Sequence, residues 1–181
     1  MDKNRLRTLA RIPIPPRRKI SPRKLYEKLE SDFIEKTISL WKHEDAAQSV
    51  RDLMAKFGPP DDAMKDLILW RNISQFKETW IRDESLPHNF PTPHRDWLYS
   101  TMEIPVPADW VGVFAGVTGS IIVDGLKNQV TARCQTITKN AVTLGFVQDA
   151  IDGKFTPQKA KDEYAKRINN DITPDWFKEE K

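Results

Sequence analysis

Four prolines within the first twenty-two residues, Pro13, Pro15, Pro16 and Pro22, forbid a continuous helix at the start of this chain. Each lacks an N–H to donate and biases the residue before it toward extended backbone. The same stretch is dense in cations, namely Lys3, Arg5, Arg7, Arg11, Arg17, Arg18, Lys19, Arg23 and Lys24, with Asp2 the only acid before Glu27. Residues 1–24 read as an extended basic arm that reaches for an anionic or acidic partner instead of packing into a core of its own.

The arm hides a charge asymmetry inside a formal net charge of +3. It carries nine bases against one acid, whereas the remainder carries twenty bases against twenty-five acids. That division argues against a nucleic-acid-binding domain whose basic footprint covers a whole face, and fits a tail anchored to an acidic partner. Arg5, Arg7, Arg11, Arg17, Arg18 and Lys19 are the expected contacts. RNA phosphates, anionic lipid or an acidic subunit surface would all use these residues, and salt weakens the first two.

Beyond the arm, hydrophobic spacing predicts helices. Ser21-Pro22 reads as an N-cap with proline at the first helical position, opening a helix to about residue 42. Val50, Leu53, Met54 and Phe57 follow the i, i+3, i+4, i+7 pattern, and Gly58 stands where a helix terminates. Asp61 is expected to cap a third helix whose apolar face includes Leu69, Ile73, Phe76 and Trp80. Residues 25–82 thus read as a small helical unit.

Residues 83–109 interleave five prolines with Phe90, Trp97, Leu98 and Tyr99. No period survives there, so the stretch reads as an extended strap, with Trp97, Tyr99 and the adjoining Trp110 as interface anchors. From Trp110 to Val123 runs an uncharged segment of fourteen residues. As a helix it would reach about 21 Å, short of the roughly 30 Å of a bilayer's hydrocarbon. Gly112, Gly116 and Ser120 would line it with small residues, letting a second helix approach closely. That second helix is expected over Gln129–Ile151, from Val130, Cys134, Ile137, Ala141, Leu144 and Val147. A last helix opens at Thr156-Pro157 with Ala160, Tyr164, Ala165 and Ile168 inward. Residues 110–181 then form a helical hairpin plus a C-terminal helix, and the fold class is mainly α.

Catalytic signatures are not found. Gly112 to Gly119 lacks the lysine and preceding strand of a phosphate loop. Cys134 is the only cysteine, which removes a disulfide framework and a cysteine cluster, and a buried apolar role is expected for it. His88 and His94 lie six apart in a proline-rich loop with Asp96 following, a spacing unlike a zinc signature, so hydrogen-bonding loop histidines are expected and no metal or cofactor. No apolar stretch follows the basic start as a secretory signal would require, although the acid-poor arm has the character of an organelle transit peptide. The reading that follows is a non-catalytic accessory subunit of a large multi-subunit assembly, favouring a mitochondrial inner-membrane energy-converting complex, with other subunits and anionic lipid as partners. The alternatives are a ribosomal or other ribonucleoprotein subunit with its arm in RNA, and a viral structural protein.

Overall fold

A computed structural model describes residues 31–177. Its centre is a sheet of six strands, all paired antiparallel, in the order β1-β2-β3-β4-β6-β5. The chain enters through α1 (Ser31–Ile38) and α2 (Glu44–Phe57), then makes β1 (Asp62–Met64), β2 (Leu67–Ile73), β3 (Phe76–His88) and β4 (His94–Glu103). Next come α3 (Ala108–Val117), β5 (Ile121–Asp124), β6 (Gln129–Cys134), α4 (Ile137–Ile151) and α5 (Ala160–Asn169), with a 3₁₀ turn at Asp175–Phe177. The class is mixed α/β, which corrects the expectation of a mainly helical protein.

Three of the expected helices are the source of that correction. The helix foreseen after Asp61 is the meander β1–β2–β3, in which the tight turn at Ser74-Gln75 sets Ile73 opposite Phe76. Leu-Ile-Leu-Trp and Thr-Trp-Ile are runs of aliphatic and aromatic side chains that suit a half-buried pleated surface. The uncharged stretch 110–123 is helix only to Val117, then turns into edge strand β5, and no helix among the described residues is long and apolar enough to cross a membrane. The helix foreseen over 129–151 is divided: β6 alternates buried Val130, Ala132 and Cys134 with less buried Thr131 and Arg133, and α4 starts only after Thr136. The Thr136 hydroxyl accepts from Lys139 N at 3.2 Å, an N-cap that fixes this start. Residues 83–109, expected as a connecting strap, are instead drawn into the ladder as the end of β3 and the whole of β4, with Ala108 and Asp109 opening α3.

Strand register stacks the core in rows. Ile68, Ile81, Leu98 and Cys134 are successive cross-strand partners, as are Trp70, Thr79, Ser100, Ala132 and Ile121. Helix α4 is buried on nearly every side, at Ile137, Ala141, Val142, Leu144, Phe146, Val147 and Ala150. A helix apolar all round belongs in an interior. It reaches the sheet through Asn140, whose side-chain amide donates to Leu98 O and Ser100 Oγ. Phe146 is the hub of an aromatic cluster, 5.1 Å from Phe155, 5.2 Å from Tyr164 and 6.0 Å from Phe114 between ring centroids. Helix α2 ends at Gly58, where φ is +84° and the N–H bonds Met54 O, the left-handed region in which glycine is at ease.

Candidate metal centre

Five segments converge at one end of the sheet because antiparallel pairing brings ends and starts together. Strand β3 finishes there at His88, β4 starts at His94, β6 finishes at Cys134, α3 has just ended before Thr118, and Ser120 leads into β5. The β3–β4 register makes His88 and His94 direct partners and sets Asp96 opposite Leu86. This end of the sheet gathers two imidazoles, a carboxylate, two hydroxyls, a thiol and a guanidinium.

Asp96 is completely buried, an expensive place for a carboxylate unless other groups offset its charge. The Ser120 hydroxyl donates to its Oδ2 at 3.0 Å, and Arg133 Nε lies 3.6 Å from the same oxygen. Oδ1 has no hydrogen bond, although His94 Nε2 stands only 3.1 Å away. The two atoms are not aligned for a hydrogen bond, and the far side of that ring decides which nitrogen carries the proton. His94 Nδ1 is 2.7 Å from Thr92 O, and a carbonyl can only accept, so the ring proton sits on Nδ1. In the neutral ring Nε2 then carries a lone pair, 3.1 Å from Asp96 Oδ1 and 3.1 Å from His88 Nδ1.

His88 closes the triangle. Its Nδ1 lies 3.1 Å from His94 Nε2, 3.3 Å from Asp96 Oδ2 and 3.0 Å from Ser120 Oγ. Its Nε2 is 2.9 Å from Thr118 Oγ1. Burial holds the His88 pKa below its ordinary value, the nearby His94 and Arg133 act in the same direction, and the pull of Asp96 the other way does not overcome them. A neutral ring with Nε2–H donating to Thr118 leaves Nδ1 as an acceptor beside His94 Nε2, Ser120 Oγ and the Asp96 carboxylate. The three residues each offer one donor atom within 4.8 Å of the other two.

A cation would suit this arrangement. Around a tetrahedral ion with bonds of about 2.0–2.2 Å, neighbouring donor atoms sit about 3.3–3.5 Å apart. The two imidazole nitrogens are 3.1 Å apart, and each has one carboxylate oxygen near that figure, Oδ1 at 3.1 Å from His94 Nε2 and Oδ2 at 3.3 Å from His88 Nδ1. Two imidazoles and one carboxylate suit borderline divalent ions such as zinc or iron(II). Thr92 O and Thr118 Oγ1 supply the outer hydrogen bonds that orient ligating imidazoles. A hydroxyl–imidazole–carboxylate line also runs from Thr118 through His88 to Asp96. Yet Thr118 Oγ1 already accepts from Ser120 N, and the residue is buried, which suits a clamp better than a nucleophile.

Cys134 borders the triad, with Sγ 3.6 Å from His94 Nε2. Without an ion its thiol is pushed up to about 11, by burial first and by the Asp96 charge second. A separate cleft of about 650 Å³ lies elsewhere, lined among others by Glu103, Gly145, Asp149, Pro174 and Trp176, and includes none of the triad.

The residues singled out from sequence fall in several places. Arg5, Arg7, Arg11, Arg17, Arg18 and Lys19 lie outside the described residues. Gly112 and Gly116 are on α3, where nothing stands within 4 Å of a Cβ added to either. Ser120 is beyond that helix and serves the triad instead. The expected close pairing of helices 110–123 and 129–151 is therefore replaced by the β5–β6 hairpin. Trp97 is buried and donates to Ser49 Oγ at 2.8 Å. Tyr99 stacks on Trp80 at 5.1 Å and donates to Glu84, while Trp110 stacks on Phe114 at 5.4 Å. All three aromatics hold the chain to itself. Sequence reasoning noticed His88, His94 and Asp96 but expected no metal, and did not connect them with Ser120, Arg133 or Cys134. Comparison of the chain with protein-family models, curated proteins and solved structures returns no match.

Proposed function

We propose that this chain is a divalent-transition-metal-binding α/β domain whose ligands are His88 Nδ1, His94 Nε2 and the Asp96 carboxylate. One observation carries the reading: the completely buried Asp96 Oδ1 has no hydrogen-bond donor although His94 Nε2 lies only 3.1 Å away. Two acceptors this close together are stabilised by a positive charge near both of them. A proton on Nε2 is the competing occupant, but Oδ1 and that nitrogen are not aligned for a hydrogen bond.

Titration of the full-length, metal-depleted chain with zinc tests this. One equivalent is expected to bind and to raise the melting temperature, since an ion held only by the folded state stabilises it by mass action. His94→Ala and Asp96→Ala are expected to lose that rise. A wild-type chain whose melting is indifferent to zinc, iron(II) and cobalt(II) would overturn the assignment.

We propose further that the domain acts as a non-catalytic accessory subunit, held to an anionic partner by its arm. Support comes from the division of charge, nine bases and one acid in residues 1–24 against an acidic remainder. Co-migration on native gels with the full chain, lost when residues 1–24 are removed, is the expected result. Equal co-migration of both forms would sink this reading.

A further inference from the structure

Cys134 ends β6, is buried, and is the only cysteine of the chain. A zinc-bound nitrogen at about 2.0–2.1 Å and a zinc-bound sulfur at about 2.3 Å lie roughly 3.5–3.6 Å apart in a tetrahedron. His94 Nε2 and Cys134 Sγ are already 3.6 Å apart. Charge points the same way. A divalent ion on two neutral imidazoles and one carboxylate keeps one positive charge, and Arg133 beside Asp96 adds a second. An interior tolerates such an excess poorly, so an anionic fourth donor is favoured. The sulfur in contact with His94 is that donor, and the donorless Asp96 Oδ1 marks independently where the ion sits.

We infer that Cys134 is the fourth ligand, giving a closed His₂–Asp–Cys sphere that fastens the end of β3, the start of β4 and the end of β6 to one ion. This rests on the metal-binding reading above. As the metal–sulfur bond forms, the thiol proton leaves to solvent, and the Cys134 side chain turns from its place beside His94 to bring Sγ toward His88 and Asp96. Closure makes the ion a structural fastening, in contrast to a two-histidine, one-carboxylate site with open positions for substrate. Its place in the fold agrees, because the ion would join three strand ends at the outermost ladder pairs, His88 with His94 and Leu98 with Cys134.

Cobalt(II) added to the metal-free full-length chain separates the possibilities without any substitution. Tetrahedral visible bands accompanied by a near-ultraviolet sulfur-to-cobalt charge-transfer band are expected. Visible bands with no charge-transfer band would overturn the role of Cys134 and leave the three-ligand reading standing. No cobalt or zinc binding at all would overturn both. Cys134→Ser is expected to erase the charge-transfer band and weaken zinc by about tenfold or more, because a hydroxyl is a much poorer anionic ligand than a thiolate. Unchanged zinc affinity in a folded Cys134→Ser protein would equally refute the fourth ligand.

Discussion

Asp83 Oδ1 lies 2.9 Å from His43 Nδ1, and this contact joins the middle of β3 to the start of α2. The same carboxylate accepts from the backbone N–H of Lys42 at 2.9 and 3.1 Å and from that of His43 at 3.1 Å. His43 occupies the N-cap position of α2 and its own side chain caps nothing, so a strand residue distant in sequence does the capping. Burial alone would push the Asp83 carboxyl up, but the Lys42 and His43 donors outweigh it and hold its pKa below the usual carboxylate value. Asp83→Asn is expected to cost about 1–3 kcal/mol at neutral pH, as a charged acceptor of several bonds is lost. A carboxyl depressed in the folded state stabilises fully above its unfolded pKa, and that contribution disappears as pH falls through the folded value. The gap between wild type and variant in urea unfolding should therefore be widest at neutral pH and close toward acid. A gap independent of pH would refute the capping role.

Gly145 sits in the buried middle of α4 against Pro174. A Cβ there would lie 2.9 Å from both Cβ and Cγ of the proline ring. That ring cannot rotate away without moving the backbone that leads into Trp176 and Phe177, and Trp176 Nε1 is fixed by a 2.7 Å bond to Gln148 Oε1. Alanine gains about 0.8–1 kcal/mol in helix propensity over glycine, while overpacking costs about 1–3 kcal/mol. Gly145→Ala is expected to be destabilising by about 1 kcal/mol net, with faster hydrogen exchange at the Trp176 indole. A stabilised variant with a protected indole would show that the tail yields freely.

How a helix was foreseen over β2 and β3 has a geometric explanation. Leu69, Ile73, Phe76 and Trp80 step by four, three and four, as one face of a helix would. They also lie symmetrically about the turn at Ser74-Gln75, so the fold pairs Ile73 with Phe76 and Leu69 with Trp80. One spacing satisfies both geometries. The turn offered no warning glycine, since Asn72 and Ser74 take the positive φ values of 55° and 53° themselves. Helix α2 was legible because Val50, Leu53, Met54 and Phe57 run into Gly58 and two prolines, so local chemistry and period agree. In β6 the buried alternation of Val130, Ala132 and Cys134 was present in the sequence, but a longer three-four rhythm continuing into α4 obscured it. The site was half legible. His88, His94 and Asp96 are near neighbours in sequence, and their hairpin is local. Ser120, Arg133 and Cys134 reach them only through the β4–β6–β5 ladder, which no local pattern announces.

Arg133 gives the proposed metal centre a test through charge balance. Its Nε is buried without a hydrogen bond, 3.6 Å from Asp96 Oδ2. Its guanidinium also packs 5.9 Å from the Tyr99 ring. Arg133→Met keeps the packing stem and removes the charge. In the metal-free protein the cost is expected to be about 2–3 kcal/mol, somewhat below the full penalty for breaking a buried pair because Arg133 remains partly exposed. Saturating zinc should narrow that difference, because the ion then supplies the positive charge that Asp96 requires. Unfolding of both proteins with zinc and with a chelator measures the four corners of this cycle. A difference unaffected by zinc would mean that the ion does not neutralise Asp96.

Removal of residues 1–24 separates what the arm does from what the body does. Every residue of the hydrophobic core among the described residues lies between Ile34 and Phe177. Residues 1–24 carry nine bases with Asp2 as their only acid, the charge that the proposed reading assigns to a partner. The truncated chain is expected to match the full chain within about 0.5 kcal/mol in urea unfolding, the range of changes remote from a core. Its affinity for an anionic partner should fall, and the salt dependence of binding should flatten with it, since each neutralised phosphate or headgroup contributes to that slope. Anionic vesicles, a generic RNA and an acidic polypeptide, each titrated at two salt concentrations with both chains, identify the class of partner. A truncated chain that unfolds substantially more easily would show instead that the arm belongs to the fold.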